Sequence, residues 1–317
     1  MPEQQNSNWE REVLGKLAMA ALQEQRSARR WGIFFKILTF SYLFIVLLLF
    51  LGLRDMKNEA ALAGKHTSLV DLSGEIAADK SANADNIIES LQSAFKDKNT
   101  QGVILRINSP GGSPVQAGAI NDEIRRLRAK YPDIPLYVVV EDICASGGYY
   151  VAAAADKIYV NKASLIGSIG VLMDGFGFTG TMQKLGVERR LLTAGENKGF
   201  LDPFSPSDPK QIEIARKMLN EIHQQFIAVV REGRGNRLKE TPEIFSGLIW
   251  TGQKGIELGL ADGLGSVESV ARDVIKAENI VDYTTREGFA DRLAKKFGAG
   301  AASVIPGFSS QSHVELH

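Results

Sequence analysis

The sequence predicts an α/β domain, a largely parallel sheet with helices packed outside it, preceded by one N-terminal transmembrane helix. Three features lead to this. From Thr67 onward short apolar stretches alternate with longer amphipathic ones, the pattern of strands joined by helical crossovers. The stretches around Val103-Ile104-Leu105 and Val138-Val139-Val140 are unbroken apolar runs, as expected of strands buried on both faces. Ahead of them, Ile37–Leu53 is seventeen residues without a charge.

In chain order, residues 1–32 are polar and charged, helical in pattern over Trp9–Gln25, with basic side chains at Arg11, Lys16, Arg26, Arg29 and Arg30. The uncharged run extends back through Ile33-Phe34-Phe35 if Lys36 lays its stem along the apolar surface, which gives a span over 33–53 facing lipid through Ile33–Leu53. A cleaved leader would also be apolar, and Ala61-Leu62-Ala63 has the small-residue spacing of a cleavage site. Against it, more than thirty residues precede the run, the run exceeds the apolar core of an ordinary leader, and Arg54 and Lys57 intervene, so an uncleaved anchor is expected. Positive charge on the N-terminal flank places the N-terminus in the cytoplasm and the residues after 55 outside it.

Residues 54–66 read as a linker and 67–297 as the α/β domain. Its expected elements are strand Ser68–Ile76, helix Ala84–Lys96, strand Gly102–Ile107, helix Val115–Lys130, strand Leu136–Ile143, a small-residue helix beginning at Ser146, and strand Lys157–Val160. A strand Arg189–Leu192 and a charged helix Asp208–Arg231 follow, and 298–317 reads as a flexible tail. Lys+Arg and Asp+Glu balance at 37 each, so net charge gives no reason to expect a nucleic-acid partner. The single cysteine, Cys144, can form no intrachain disulfide, and no Cys/His cluster has metal-ligand spacing; neither metal nor cofactor is expected.

Ligands of open parallel sheets bind beyond the carboxyl ends of the strands, and two glycine-rich turns fall there. The first, Asn108-Ser109-Pro110-Gly111-Gly112-Ser113-Pro114, can point successive N–H groups outward. The second, Ala145-Ser146-Gly147-Gly148, puts a hydroxyl at a strand-to-helix turn, where small neighbours admit a substrate and helical N–H groups favour negative charge. Ser146 could instead be a plain helix N-cap, and a Pro-Gly-Gly turn needs no catalytic purpose. Together, however, one turn offers a nucleophile and the other spare donors for an oxyanion, joined by the N–H of Gly147.

A serine nucleophile needs a base. The four histidines are His66, His223, His313 and His317, and none lies between residues 100 and 206; His223, in the charged helix, reads as a solvated surface residue. A lysine can serve if its reference pKa near 10.4 falls by about three units, which costs roughly 4 kcal/mol and requires burial. Lys157, Lys162, Lys184 and Lys198 are the candidates, and the residues alone do not choose among them.

The Ser-Pro-Gly-Gly turn, Ala145–Tyr150, Ile166-Gly167-Ser168-Ile169-Gly170-Val171, the Lys198 loop with Ser205-Pro206, and Thr251–Asp262 together resemble the signal peptide peptidase A (protease IV) family, over roughly residues 68–275. The resemblance implies a crotonase/ClpP-like fold and a Ser-Lys dyad. By position, Ser146 would be the nucleophile, Lys198 the general base and Ser168 the residue that orients the lysine, with Gly111, Gly112 and Gly147 as oxyanion donors. It further implies a bacterial inner-membrane endopeptidase, catalytic domain outside the cytoplasm, that degrades cleaved signal peptides and other short hydrophobic peptides. Longer members carry two homologous copies and this chain one, so a cyclic homo-oligomer is expected to supply the missing contacts. Three alternatives remain at this level: the related membrane-bound ClpP-class protease with a stomatin-like partner, a non-catalytic membrane scaffold, and a crotonase-type acyl-thioester enzyme.

Overall fold

The structure, a computed structural model, describes residues 29–47 and 64–285 together with scattered positions between 13 and 26. The expected tail at 298–317, the Ala61–Ala63 site and most of the Trp9–Gln25 helix lie outside the described residues. The chain divides into two compact units, residues 1–63 and 64–317. In the first, helix α1 (Arg29–Leu47) is 19 residues long and apolar enough to cross a membrane. Its side chains are exposed along its length, Leu38, Phe44 and Leu47 among them.

In the second unit eight strands form one sheet. They are β1 (His66–Ser73), β2 (Thr100–Ser109), β3 (Leu136–Ala145), β4 (Lys157–Val160), β5 (Leu165–Gly167), β6 (Ile249–Thr251), β7 (Gly263–Leu264) and β8 (Ile280–Asp282). The order is β6-β5-β3-β2-β1-β8, with β4 beside β3 and β7 beyond β4. All pairs are parallel except β5 with β6, so the largely parallel α/β sheet predicted from the sequence is the one observed. Helices α2 (Ala84–Lys96) and α3 (Pro114–Lys130) make the crossovers, followed by α4 (Gly147–Ala152), α5 (Thr179–Leu185), α6 (Pro209–Arg234), α7 (Gly252–Glu257) and the short α8 (Val267–Ser269), which runs on as a wider turn. Pro114 and Pro209 open α3 and α6 at the first helical position, with Ser113 and Asp208 as N-caps. The core lies between the sheet and α2, α3, α4 and α6, with Leu72, Leu105, Ile107 and Val138 fully buried, while Val267, Val270 and Ala271 cover the other face.

Two expectations change. β1 ends at Ser73, and Ile76 re-enters only as a single bridge to Gly112. Residues 189–192 form no strand: Arg-Arg-Leu-Leu has no β-branched or aromatic side chain, and no strand among the described residues lies beside it to complete a ladder.

The Thr251–Asp262 stretch has a structural role. Thr251 caps α7, and Asp262 accepts from the Ile158 N–H at 2.7 Å and from Arg234 at 2.8 Å. Arg234 is 1% exposed and also donates its Nε to the Gly259 carbonyl, so α6, β4 and α7 are tied at one buried charge pair. Burial works to raise the Asp262 carboxyl, but Arg234, the Ile158 N–H and Arg237 hold it below its ordinary value of 3.8. Asp262→Ala leaves Arg234 buried without its counter-charge and should cost about 3–5 kcal/mol in urea denaturation. A depressed carboxylate stabilises the fold above its unfolded pKa and loses that effect as pH falls through the folded value, so Asp262→Asn should show a shallower loss of stability below about pH 4 than wild type.

Candidate active site

Strand β3 pairs with two strands in succession. Tyr137–Val139 face β4, the strand then bends through the exposed Glu141 and Asp142, and Ile143–Ala145 face β5. Ala145 and Gly167 are register partners, so Ser146 and Ser168 leave the carboxyl ends of adjacent parallel strands, which are spaced by about 4.8 Å. Both serines have φ of 51°, the left-handed side that side-chain-bearing residues avoid. The Ser146 N–H donates to the Gly167 carbonyl at 2.9 Å, and the Ser168 N–H to the Leu248 carbonyl at 2.8 Å.

Ser146 precedes α4 but makes no side-chain capping bond, which removes the plain N-cap reading; its ψ is −123°. The first glycine turn lies directly against it. A Cβ on Gly111 would sit 2.7 Å from Ser146 Cβ and from the Gly147 nitrogen, and one on Gly112 would sit 2.2 Å from the Ile76 carbonyl oxygen, so only glycine allows the turn to approach this closely. The Ile76 N–H donates to Gly111 O, and the Ser113 N–H to Ile76 O, both at 2.8 Å, which fixes the turn from the other side. Of the three expected oxyanion donors, Gly111 has its N–H engaged by Ser109 Oγ at 3.1 Å. The N–H groups of Gly112 and Gly147 meet no acceptor among the described residues.

Ser146, Ser168, Gly112 and Gly147 open on one cavity of about 480 Å³. Its walls are mostly apolar: Ala117 and Tyr150 on one side, Ile222 and Phe226 of α6 on another, with the Tyr150 and Phe226 rings 5.1 Å apart. Ser246 and Gly247 close it near Ser168. The α6 residues are missed by the sequence reading, although 222, 225 and 226 have the spacing of one helical face. Cys144 is no rival nucleophile, because complete burial pushes its thiol well above the usual range.

Lys198 stands apart. It is exposed, makes no side-chain hydrogen bond among the described residues, and is not on the cavity wall. Its loop is nevertheless ordered. The Ser205 hydroxyl donates to Asp202 at 2.6 Å and, with Arg189, holds that carboxyl below the ordinary range. Phe204 stacks on Phe178 at 5.5 Å beneath the Arg189 guanidinium. His223, expected at the surface, is half-buried and donates Nε2–H to the Ile169 carbonyl at 3.1 Å.

A family model described as peptidase family S49 matches residues 128–281. A candidate protease of Methanocaldococcus jannaschii is 33% identical over 242 residues, covering 73% of this chain and 76% of that protein. The chain belongs to peptidase family S49. A candidate signal peptide peptidase SppA of Enterococcus faecium is 31% identical over 205 residues, 65% of the S49 chain and 59% of that protein. A Brucella melitensis protein named Na(+)/H(+) antiporter NhaA is 43% identical over 220 residues, 68% of the S49 chain but 29% of that protein. The S49 chain therefore spans under a third of the Brucella relative and about three fifths of the Enterococcus one.

The Ser146 backbone supplies a test that needs no substrate. Ala keeps the strained φ and Gly relieves it, a gain of about 1–3 kcal/mol set against a smaller entropic cost. Ser146→Gly should therefore be more stable than Ser146→Ala by about 1 kcal/mol in chemical denaturation; equal midpoints would mean that the turn carries no strain.

Proposed function

We propose that this S49 chain is a membrane-anchored serine endopeptidase that cuts cleaved signal peptides and other short hydrophobic peptides through a Ser146–Lys198 dyad. The observation that carries the reading is Ser146 in a strained turn beside two unengaged N–H groups, at the mouth of an apolar cavity. The neutral Lys198 amine takes the Ser146 proton, Oγ bonds to the substrate carbonyl carbon, and the N–H groups of Gly112 and Gly147 hold the developing oxyanion. Collapse breaks the C–N bond, and the leaving amine takes the proton from Lys198. Water, deprotonated by Lys198, then attacks the ester, and the serine leaves with its proton restored. Ser168 orients the lysine amine. The apolar walls suit an aliphatic side chain of the substrate, whose backbone would lie extended along the cleft.

A lysine that acts as a general base needs burial to lower its pKa, and Lys198 is exposed in the single chain. The segment carrying it also displays Leu172 at 80%, Phe176 at 79% and Leu192 at 95% exposure. Apolar surface of this kind marks an interface. A cyclic homo-oligomer that buries this segment against the next subunit would bring Lys198 of one chain to Ser146 of another. With α1 in the bacterial inner membrane and basic residues ahead of it, the S49 domain would face the extracytoplasmic side.

Ser146→Ala and Lys198→Ala should each leave no more than a few per cent of peptide hydrolysis. Co-assembly of equal amounts should recover about a quarter of wild-type activity for a shared dyad in a closed ring, and none if both groups come from one chain. The wild-type rate should fall on acidification, since only a neutral amine accepts a proton; a rate flat from pH 9 to pH 5 would exclude the lysine base.

A further inference from the structure

The segment that follows β5 forms the lip of the cavity. Ser168, Gly170, Val171 and Leu172 all line it, yet the backbone N–H and C=O groups of 170–173 make no hydrogen bond among the described residues. The lip is held at its base only. The Ser168 N–H donates to Leu248 O, Gly170 approaches so close to Gly247 that a Cβ would lie 3.1 Å from the Gly247 Cα, and the Ile169 side chain is fully buried. The remaining hold is the His223 ring. Its bond to the Ile169 carbonyl is the only hydrogen bond between α6 and the lip among the described residues. Helix α6 is itself anchored by Arg234 at its C-terminal end and by the buried Phe226 and Val230.

We propose that His223 is a positioning residue: by holding the Ile169 carbonyl, it fixes the orientation of the cleft lip to which a peptide substrate pairs its backbone. The carbonyl of Ile169 and the N–H of Gly170 belong to one trans peptide unit and point in opposite directions. Tethering the carbonyl to α6 therefore sets where the Gly170 N–H points. Without the tether this peptide plane can rotate, carrying with it the unpaired groups of Gly170, Val171 and Leu172, while Ser168 stays held by the Leu248 carbonyl. The nitrogen that donates to Ile169 cannot also accept the Ser146 proton, and it donates in both the neutral and the protonated ring. His223 thus acts on substrate alignment rather than on proton transfer.

The assignment rests on the peptidase reading for its kinetic consequence but not for its structural one, so two readouts are needed on the full-length membrane protein. Backbone alignment binds ground state and transition state alike, and losing it falls on KM. His223→Ala should raise KM for a peptide substrate about tenfold, the effect of one lost hydrogen bond, with kcat and the pH profile little changed. Gln can place its side-chain amide N–H at the same carbonyl, whereas Asn is one methylene short, so His223→Gln should restore KM and His223→Asn should not. In parallel, limited proteolysis within residues 170–173 should be faster than wild type in the Ala and Asn variants and unchanged in Gln. A Gln variant as impaired as Ala, a loss confined to kcat with an altered pH profile, or unchanged proteolysis in His223→Ala would each overturn the inference. Wild-type hydrolysis by Ser146→Ala would overturn the peptidase reading instead, and the proteolysis comparison would still decide the role of His223.

Discussion

The site depends on one hydrogen bond, the Ser146 N–H to the Gly167 carbonyl, made where β3 leaves β4 and takes β5 as its partner. Had β3 stayed with β4, Ser146 and Ser168 would not end adjacent strands. The switch sends the chain through the exposed Glu141 and Asp142 and leaves both serines at a φ of 51°. Such strain persists only where the surroundings over-determine it. At Ser146 they do so on three sides, with β5 beneath, the Gly111–Gly112 turn alongside, and the buried α4 following. The same constraint sets where the lip begins, because the lip is the direct continuation of β5.

Much of this is legible in the sequence. The alternation of apolar and amphipathic stretches suffices for the crossovers, and Gly102–Ile107 and Lys157–Val160 are strands as expected. The two glycine turns stand out because they break apolar runs at the same edge of the sheet. What stays hidden is set by contacts between distant segments. Nothing local marks Ile222, Gln225 and Phe226 as cavity residues rather than one face of an amphipathic helix. His223 sits among charges in sequence, and its hydrogen-bond partner is the carbonyl of a residue 54 positions away. Residues 189–192 have no β-branched or aromatic side chain and no neighbouring strand among the described residues to complete a ladder.

The Lys198 loop is ordered by its own contacts, Ser205 with Asp202 and Phe204 with Phe178 and Arg189, while its lysine projects into solvent. Order without burial suits a part prepared for contact rather than a mobile connection. In the proposed enzyme, one chain contributes a formed nucleophile, oxyanion donors and a cavity, and assembly contributes the environment in which an amine can lose its proton. Such an arrangement would couple proteolysis to oligomerisation, since separate subunits would hold serines that nothing activates.

The most direct measurement of a lysine-activated Ser146 is the site and rate of covalent modification by an alkyl fluorophosphonate, read by mass spectrometry of the assembled protein. A Ser146–Lys198 dyad predicts one adduct per chain, on Ser146, formed at least a hundredfold more slowly when Lys198 is replaced by Ala, as expected for loss of a general base. Modification of a different residue, or of Ser146 at an unchanged rate in the Lys198→Ala protein, would contradict it.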